Sequence, residues 1–264
     1  MNKNERSMVD ILKRGRDEFG YISAKAEFEA EGTRVDELLR LMEISHSAGV
    51  KLTVKIGGCE AIRDLLESKQ FGVDFIVAPM IESDYALGKY ALARDKVYSN
   101  DEQSDTDFLF NLETHNTFLS REKILDLASE LNLAGVVFGR SDYSGSLGLP
   151  PNEIESERVT GDILEVARNC SERSLDLVVG GAVNINSIEN LKKIREIHLT
   201  RFETRKIVFD GESVFNENIE DGLFNAVQFE LKWLLNKKQY YSSISNEDNK
   251  RFDTLKARWG LVED

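Results

Sequence analysis

Strand-like and helix-like stretches alternate along nearly the whole chain, and that rhythm restricts the fold more than any other feature. Strand-like stretches cover Gly20–Phe28, Leu52–Ile56, Asp74–Ile81, Phe108–Glu113, Gly135–Gly139, Leu177–Val183 and Leu199–Phe209, the last with a charged end at Phe202–Lys206. Between them lie stretches with a 3.6-residue apolar period: Thr33–Ala48 (Val35, Leu38, Leu39 and Met42 on one face), Glu60–Ser68, Ser83–Ala93, Ser120–Leu131, Val159–Asn169 and Ser187–Arg195. A lead-in helix around Ser7–Phe19 precedes them; helices at Ile219–Leu235 and Asn249–Trp259 follow, and Arg94–Asp107 is charged and irregular. Strands separated by helices mean βαβ units and a parallel sheet. The 264 residues match the roughly 250 of a (β/α)8 barrel.

The expected fold is therefore an α/β chain with a (β/α)8 TIM barrel, read as a single domain over 1–264 with a C-terminal helical tail at 236–264. Seven strands are visible where a barrel needs eight, so one β/α element should be atypical or shortened. The missing strand is sought in the lead-in segment or around Val97–Ser99, and an open doubly wound sheet is the structural alternative. No GxGxxG or GxxxxGK[ST] follows any strand, which lowers the case for a nucleotide site.

The formal charge of −13 argues against nucleic acid, which needs an excess of Lys and Arg on one face, and against an anionic membrane surface. The first residues lack the apolar run of an export signal, and no later stretch approaches about 18 apolar residues. A soluble, cytoplasmic protein is expected. The two cysteines, Cys59 and Cys170, form neither a disulfide framework nor a zinc motif.

In a barrel, chemistry gathers where strands end, and strand side chains alternate with a period of two. In Phe108–Glu113, Leu109, Asn111 and Glu113 should point inward. A carboxylate there is costly to bury unless it is paired or metal-bound; a partner-satisfied structural Glu is the plainer alternative. Asp142 follows the next strand in a loop of small residues, so Glu113 and Asp142 could share a hard divalent cation with waters and substrate oxygens, although Asp142 could merely cap its loop. Lys25 and Glu27 alternate onto the polar face of the first strand, Thr53 and Lys55 onto that of the second; solvated faces would look the same. Arg205 could complete an anion pocket. His115, two residues after Glu113, could serve as an acid/base group, whereas His46 and His198 read as structural.

These landmarks resemble the HpcH/HpaI aldolase and citrate lyase β-subunit family of the phosphoenolpyruvate/pyruvate barrel superfamily. The match rests on Val54-Lys-Ile-Gly-Gly-Cys-Glu-Ala61, Val77-Ala-Pro-Met-Ile-Glu-Ser83, Asn111-Leu-Glu-Thr114 and Gly139-Arg-Ser-Asp-Tyr-Ser-Gly-Ser-Leu-Gly148, in that order. The resemblance implies Mg²⁺ or Mn²⁺ on Glu113 and Asp142, a pyruvate enolate, and substrate carboxylate near the amides of Ser141 and Asp142. It also implies a homo-oligomer, with C-terminal helices packed between subunits. Three departures stand out. Lys55 replaces a substrate-binding arginine, Glu27-Phe-Glu-Ala-Glu31 offers no histidine where the aldolases have a Glu-His pair, and Arg140 replaces the proline of the metal loop. The early barrel looks shorter by one β/α element.

The expected activity is that of a class II carbon–carbon lyase, taking an oxo-acid and an aldehyde. Lys55 or Arg140 would bind a carboxylate, and Lys25, Glu27 or His115 would handle the proton. A lysine Schiff-base aldolase using Lys25 or Lys55, a CoA-thioester lyase of the citrate lyase type, and an inactive barrel serving as a binding protein are the alternatives.

Overall fold

The computed structural model describes residues 1–260. The last four residues of the expected 236–264 tail lie outside the described residues. The chain opens with α1 (Lys3–Phe19), started by an Asn2–Glu5 capping box. Then come β1 (Tyr21–Glu27), α2 (Val35–Ala48), β2 (Lys51–Lys55), α3 (Ile62–Gln70), β3 (Phe75–Ala78), α4 (Asp84–Val97) and β4 (Asp107–Leu112). The chain continues through α5 (His115–Leu119), α6 (Arg121–Glu130), β5 (Gly135–Gly139), α7 (Arg140–Ser146), α8 (Glu157–Glu172), β6 (Asp176–Gly180) and α9 (Ile188–Ile197). Last come β7 (Arg201–Glu203), β8 (Ile207–Asp210) and α10 (Ile219–Trp259). The strands close in chain order into an eight-stranded barrel.

The eighth strand is not where the sequence suggested. Val97 ends α4, and the lead-in is helix throughout. Instead the run Leu199–Phe209 is two strands, folded back on themselves at Thr204–Lys206. The Thr204 amide donates to the Ile207 carbonyl at 2.9 Å to close the turn. β8 therefore runs antiparallel to both β7 and β1, and no helix separates β7 from β8. The shortened element is the last one, not an early one. Seven parallel strands still deliver their C-terminal ends to one mouth, and the turn between β7 and β8 reaches the same mouth.

The main core lies between the sheet and the helices, with Ala24, Val54, Ile76, Phe110, Val136, Val179 and Phe209 facing outward into it. Inside the barrel, Phe75, Val77, Leu109, Val137 and Val178 form a second, smaller cluster. Of the apolar face expected on α2, Leu38 is buried with Leu41 and Ile44, whereas Val35 and Leu39 are exposed.

β5 and β6 approach closely at Gly135, where a Cβ would sit 2.3 Å from the Asp176 carbonyl oxygen of β6. Gly135→Ala should therefore cost on the order of 1–3 kcal/mol by overpacking, read as a lower thermal midpoint; an unchanged midpoint would show that β5 and β6 can separate freely.

The C-terminal segment is one continuous 41-residue helix, not two. Its first half packs Leu223, Ala226, Phe229 and Trp233 into the main core. Asn225 ties it to α1 and β1, donating to the Ile11 carbonyl at 3.1 Å and to the Tyr21 hydroxyl at 3.0 Å. Among the described residues no helix is long and apolar enough to cross a membrane.

Candidate active site

Below the mouth the barrel is filled. Ser23 and Thr53 hydrogen-bond across its interior at 2.6 Å, and the cavity bordered by Thr53, Phe75, Leu109 and Val208 is only ≈ 10 Å³, room for about one water. A substrate has access only at the top, where the inward-facing positions become charged.

Glu113 stands just past β4, in the inward phase read from the sequence, and is 1% exposed. Its Oε1 accepts from the Met80 amide at 2.8 Å, and its Oε2 from the Asn111 side-chain amide at 2.5 Å. Lys55 Nζ lies 3.5 Å from Oε2. A Cβ on Gly139 would fall 2.9 Å from that same oxygen, so the glycine at the end of β5 makes room for the carboxylate. Gly180 does the same for Glu203 at the top of β7, where a Cβ would meet Oε1 at 2.9 Å.

Lys55 also pairs with Glu29 at 3.0 Å. Across the mouth, Lys25 pairs with Glu203, and with Glu27 at 3.3 Å. Arg205, exposed on the β7–β8 turn, reaches Glu27 at 3.7 Å and Glu31 at 3.3 Å. Lys206 pairs with Glu31 from the same turn. Burial alone would lower the pKa of Lys25, but Glu203 and Glu27 outweigh it and hold the ammonium above its ordinary value. Burial would raise Glu27, and Lys25, Arg205 and Lys55 together pull it below the usual carboxylate range. For Lys206, burial wins over Glu31 and the pKa falls.

Several candidates read from the sequence meet here: Lys25, Glu27, Lys55, Glu113 and Arg205. Others do not. Arg140 is 1% exposed and turned into the scaffold. It donates to the Gly180 and Gly181 carbonyls at 3.2 and 2.8 Å, to Ser187 at 3.2 Å and to Glu155 at 2.8 Å. With its donors so engaged it pins the β6–α9 connection and is not the carboxylate ligand expected. His115 stacks on Phe118 at 6.2 Å and meets the edge of Tyr143 at 6.5 Å, which puts it in an aromatic cluster between α5 and α7. Ser141 and Asp142, on the first turn of α7, are exposed. The Asp142 carboxylate has no hydrogen bond or ion pair among the described residues.

From the charged strand end Phe202-Glu-Thr-Arg-Lys206 the sequence reading singles out Arg205 alone, and the structure adds Glu203 and Lys206 to the mouth. Their signal was present in the charges of that stretch, but Leu199–Phe209 reads as one strand, which concealed the turn that brings both to the mouth.

Do these residues fit a divalent cation? Among the described residues no group of three or more His, Cys, Asp and Glu forms a ready cage. Mg²⁺, however, commonly binds one or two carboxylates and keeps several waters. Two observations favour a fit. Asn111 Oδ1, beside Glu113, is buried without a hydrogen-bond donor. The mouth also holds five carboxylates (Glu27, Glu29, Glu31, Glu113, Glu203) against four cations (Lys25, Lys55, Arg205, Lys206), an excess of one negative charge. The oxygen donors suit a hard ion.

The sequence matches no protein-family model and no curated protein. Solved structures do match. A HpcH/HpaI aldolase/citrate lyase family protein from Burkholderia cenocepacia J2315 superposes with a TM-score of 0.61 at 10% identity, covering 92% of this chain and 90% of that one. A HpcH/HpaI aldolase from Desulfitobacterium hafniense DCB-2 gives 0.59 at 15% identity, covering 74% of this chain and 82% of that one. A variant of the citrate synthase SbnG gives 0.55 at 13%, covering 84% and 89%. At these identities the likeness establishes the fold: this barrel is built as HpcH/HpaI barrels are, in agreement with the resemblance seen in the sequence motifs.

Proposed function

We propose that the chain is a carbon–carbon lyase of the class II aldolase type, acting through a pyruvate-type enolate with Mg²⁺ or Mn²⁺. The observation that carries this reading is the buried, three-sided grip that holds Glu113 inward at the mouth, with Asp142 exposed at the start of the next β/α connection. The fold shared with HpcH/HpaI structures supports it. Glu113 and Asp142 would hold the cation, which supplies Lewis-acid stabilisation of the enolate oxygen.

The chain's own residues supply the rest. Lys55 is bound to Glu29, whose side chain is 31% exposed, so a substrate carboxylate can displace Glu29 and take its place on the ammonium. As a compact point charge, Lys55 binds that carboxylate without the bidentate orientation an arginine gives. Lys25, held between Glu203 and Glu27, is better suited to fixing charge at the mouth than to the proton or Schiff-base roles. Glu27 is left as the proton acceptor: ionised, inward-facing and at the top of β1. In cleavage it takes the aldol hydroxyl proton as the C–C bond breaks, giving an aldehyde and an enolate, and it then returns that proton to the enolate methylene carbon, which becomes the methyl of pyruvate.

The test is a screen of pyruvate with aldehydes, sugar-derived ones included, in Mg²⁺ or Mn²⁺. Turnover should disappear on chelation and return when metal is restored, and borohydride should trap no lysine adduct. Full turnover in excess EDTA would rule the reading out.

A further inference from the structure

The carboxylate that rests on Lys55 belongs to a segment with little backbone support. Beyond β1 the chain leaves the barrel at Phe28, whose amide donates to the Lys55 carbonyl at 2.8 Å. It is pinned again at Thr33, whose amide donates to the Glu27 carbonyl at 3.1 Å. Between those pins the amides of Glu29, Ala30, Glu31 and Gly32 donate to no acceptor among the described residues, and Gly32 turns through a φ of +56°. What fastens the segment to the mouth is its two glutamates: Glu31 on Lys206 and Arg205, Glu29 on Lys55.

The two clasps are unequal. The Lys206 side chain is 2% exposed and lies against the Trp233 ring, and among the described residues Glu31 is its only ion-pair partner. Pulling Glu31 away would strand a buried ammonium, so this clasp is hard to open. The Glu29 side chain is 31% exposed, and Lys55 is its only partner among the described residues. A pair so open to water is held weakly. When Glu29 leaves, Lys55 still has Glu113 at 3.5 Å, and an arriving carboxylate pairs it again. Glu29 thus presents to Lys55 the same chemical group that an acid substrate presents.

We propose that Phe28–Thr33 is an autoinhibitory strap, an inference that rests on Lys55 being the carboxylate ligand of the activity proposed above. In the empty protein Glu29 fills the carboxylate subsite, and an oxo-acid reaches Lys55 only by evicting it, while Glu31 keeps the strap tethered at the rim. The affinity observed for the acid is then its intrinsic affinity reduced by the fraction of molecules in which Glu29 is off Lys55.

Calorimetric titration of the full chain with pyruvate in Mg²⁺ should give a Kd at least about threefold lower for E29Q than for wild type. KM for pyruvate should fall by the same factor. Without pyruvate E29Q should melt below wild type, because Lys55 has lost a counter-ion, and saturating pyruvate should raise its midpoint by more. E29D keeps the charge but shortens the side chain by a methylene. Because the Phe28 amide fixes the neighbouring backbone, the shorter carboxylate falls short of Lys55, and E29D should tighten pyruvate as E29Q does. Pyruvate affinity unchanged or weaker in both variants, with wild type binding it, would overturn the strap and leave the lyase reading standing. Tightening by E29Q but not by E29D would reduce Glu29 to a diffuse negative charge at the rim and overturn the strap as well. No pyruvate binding by any of the three proteins would overturn both readings together.

Discussion

Replacing Glu113 with glutamine is expected to lower kcat at least about 10²–10³-fold, the loss typical when a group aimed at developing oxyanion charge is removed. The cost to the fold should be far smaller. Glutamine keeps the length of the side chain but presents one amide nitrogen where both carboxylate oxygens now accept hydrogen bonds, from Met80 and Asn111. One donor would be left facing another, a penalty of about 1–3 kcal/mol, which lowers the thermal midpoint by several degrees in a chain of this size without unfolding it at room temperature. Activity and stability therefore separate in the same variant. KM for pyruvate should change little, because the carboxylate ligand in this scheme is Lys55. Near-wild-type kcat in a folded Glu113→Gln protein would leave the proposed chemistry without its central group.

The inward phase of β4 was legible because Phe108-Leu-Phe-Asn-Leu-Glu113 alternates cleanly, and in a strand the period of two fixes which residues share a face. The same held for Ser23, Lys25 and Glu27 in β1 and for Thr53 and Lys55 in β2, all buried. What the sequence concealed was non-local. Arg140 follows a strand end, the position of a site residue, yet its direction is set by the Gly180 and Gly181 carbonyls and by Glu155. No spacing rule anticipates partners 15 to 41 residues downstream. The turn at Thr204–Lys206 has no Gly, Pro, Asn or Asp to mark it, so two strands read as one. The polar middle of α10 looked like a gap between helices because it has no stripe to lay on the barrel. It contains neither Gly nor Pro from Leu223 to Trp259, and a helix continues where nothing breaks it.

The charged mouth raises a question of stability as well as of chemistry. Buried ion pairs add little net stability over a well-packed apolar alternative, but removing one partner strands the other in a poor solvent. Lys25 is 6% exposed and Glu203 5%, and among the described residues no other cation is paired with Glu203. Lys25→Met should therefore destabilise the fold by about 3–5 kcal/mol at neutral pH, while Lys25→Met with Glu203→Met should recover most of that loss, since both charges then leave together. The pH dependence follows from the directions of the shifts. Glu27 has a folded pKa below its ordinary value of 4.5, so its contribution is complete above that value and lost as pH falls through the folded one. Lys25 has a folded pKa above its ordinary 10.5, so its contribution is complete below 10.5 and lost as pH rises through the folded one. Wild-type stability should thus hold between about pH 5 and 10 as far as this pair is concerned. Lys25→Met also removes the largest of the cations that hold Glu27 below its ordinary value, a contribution wild type loses in any case at low pH, so the gap to wild type should narrow on acidification. Chemical unfolding of both proteins at pH 7 and pH 4 measures it. A gap that is small at pH 7, or that widens at pH 4, would show that water already reaches these carboxylates and that the mouth is more open than its ion pairs imply.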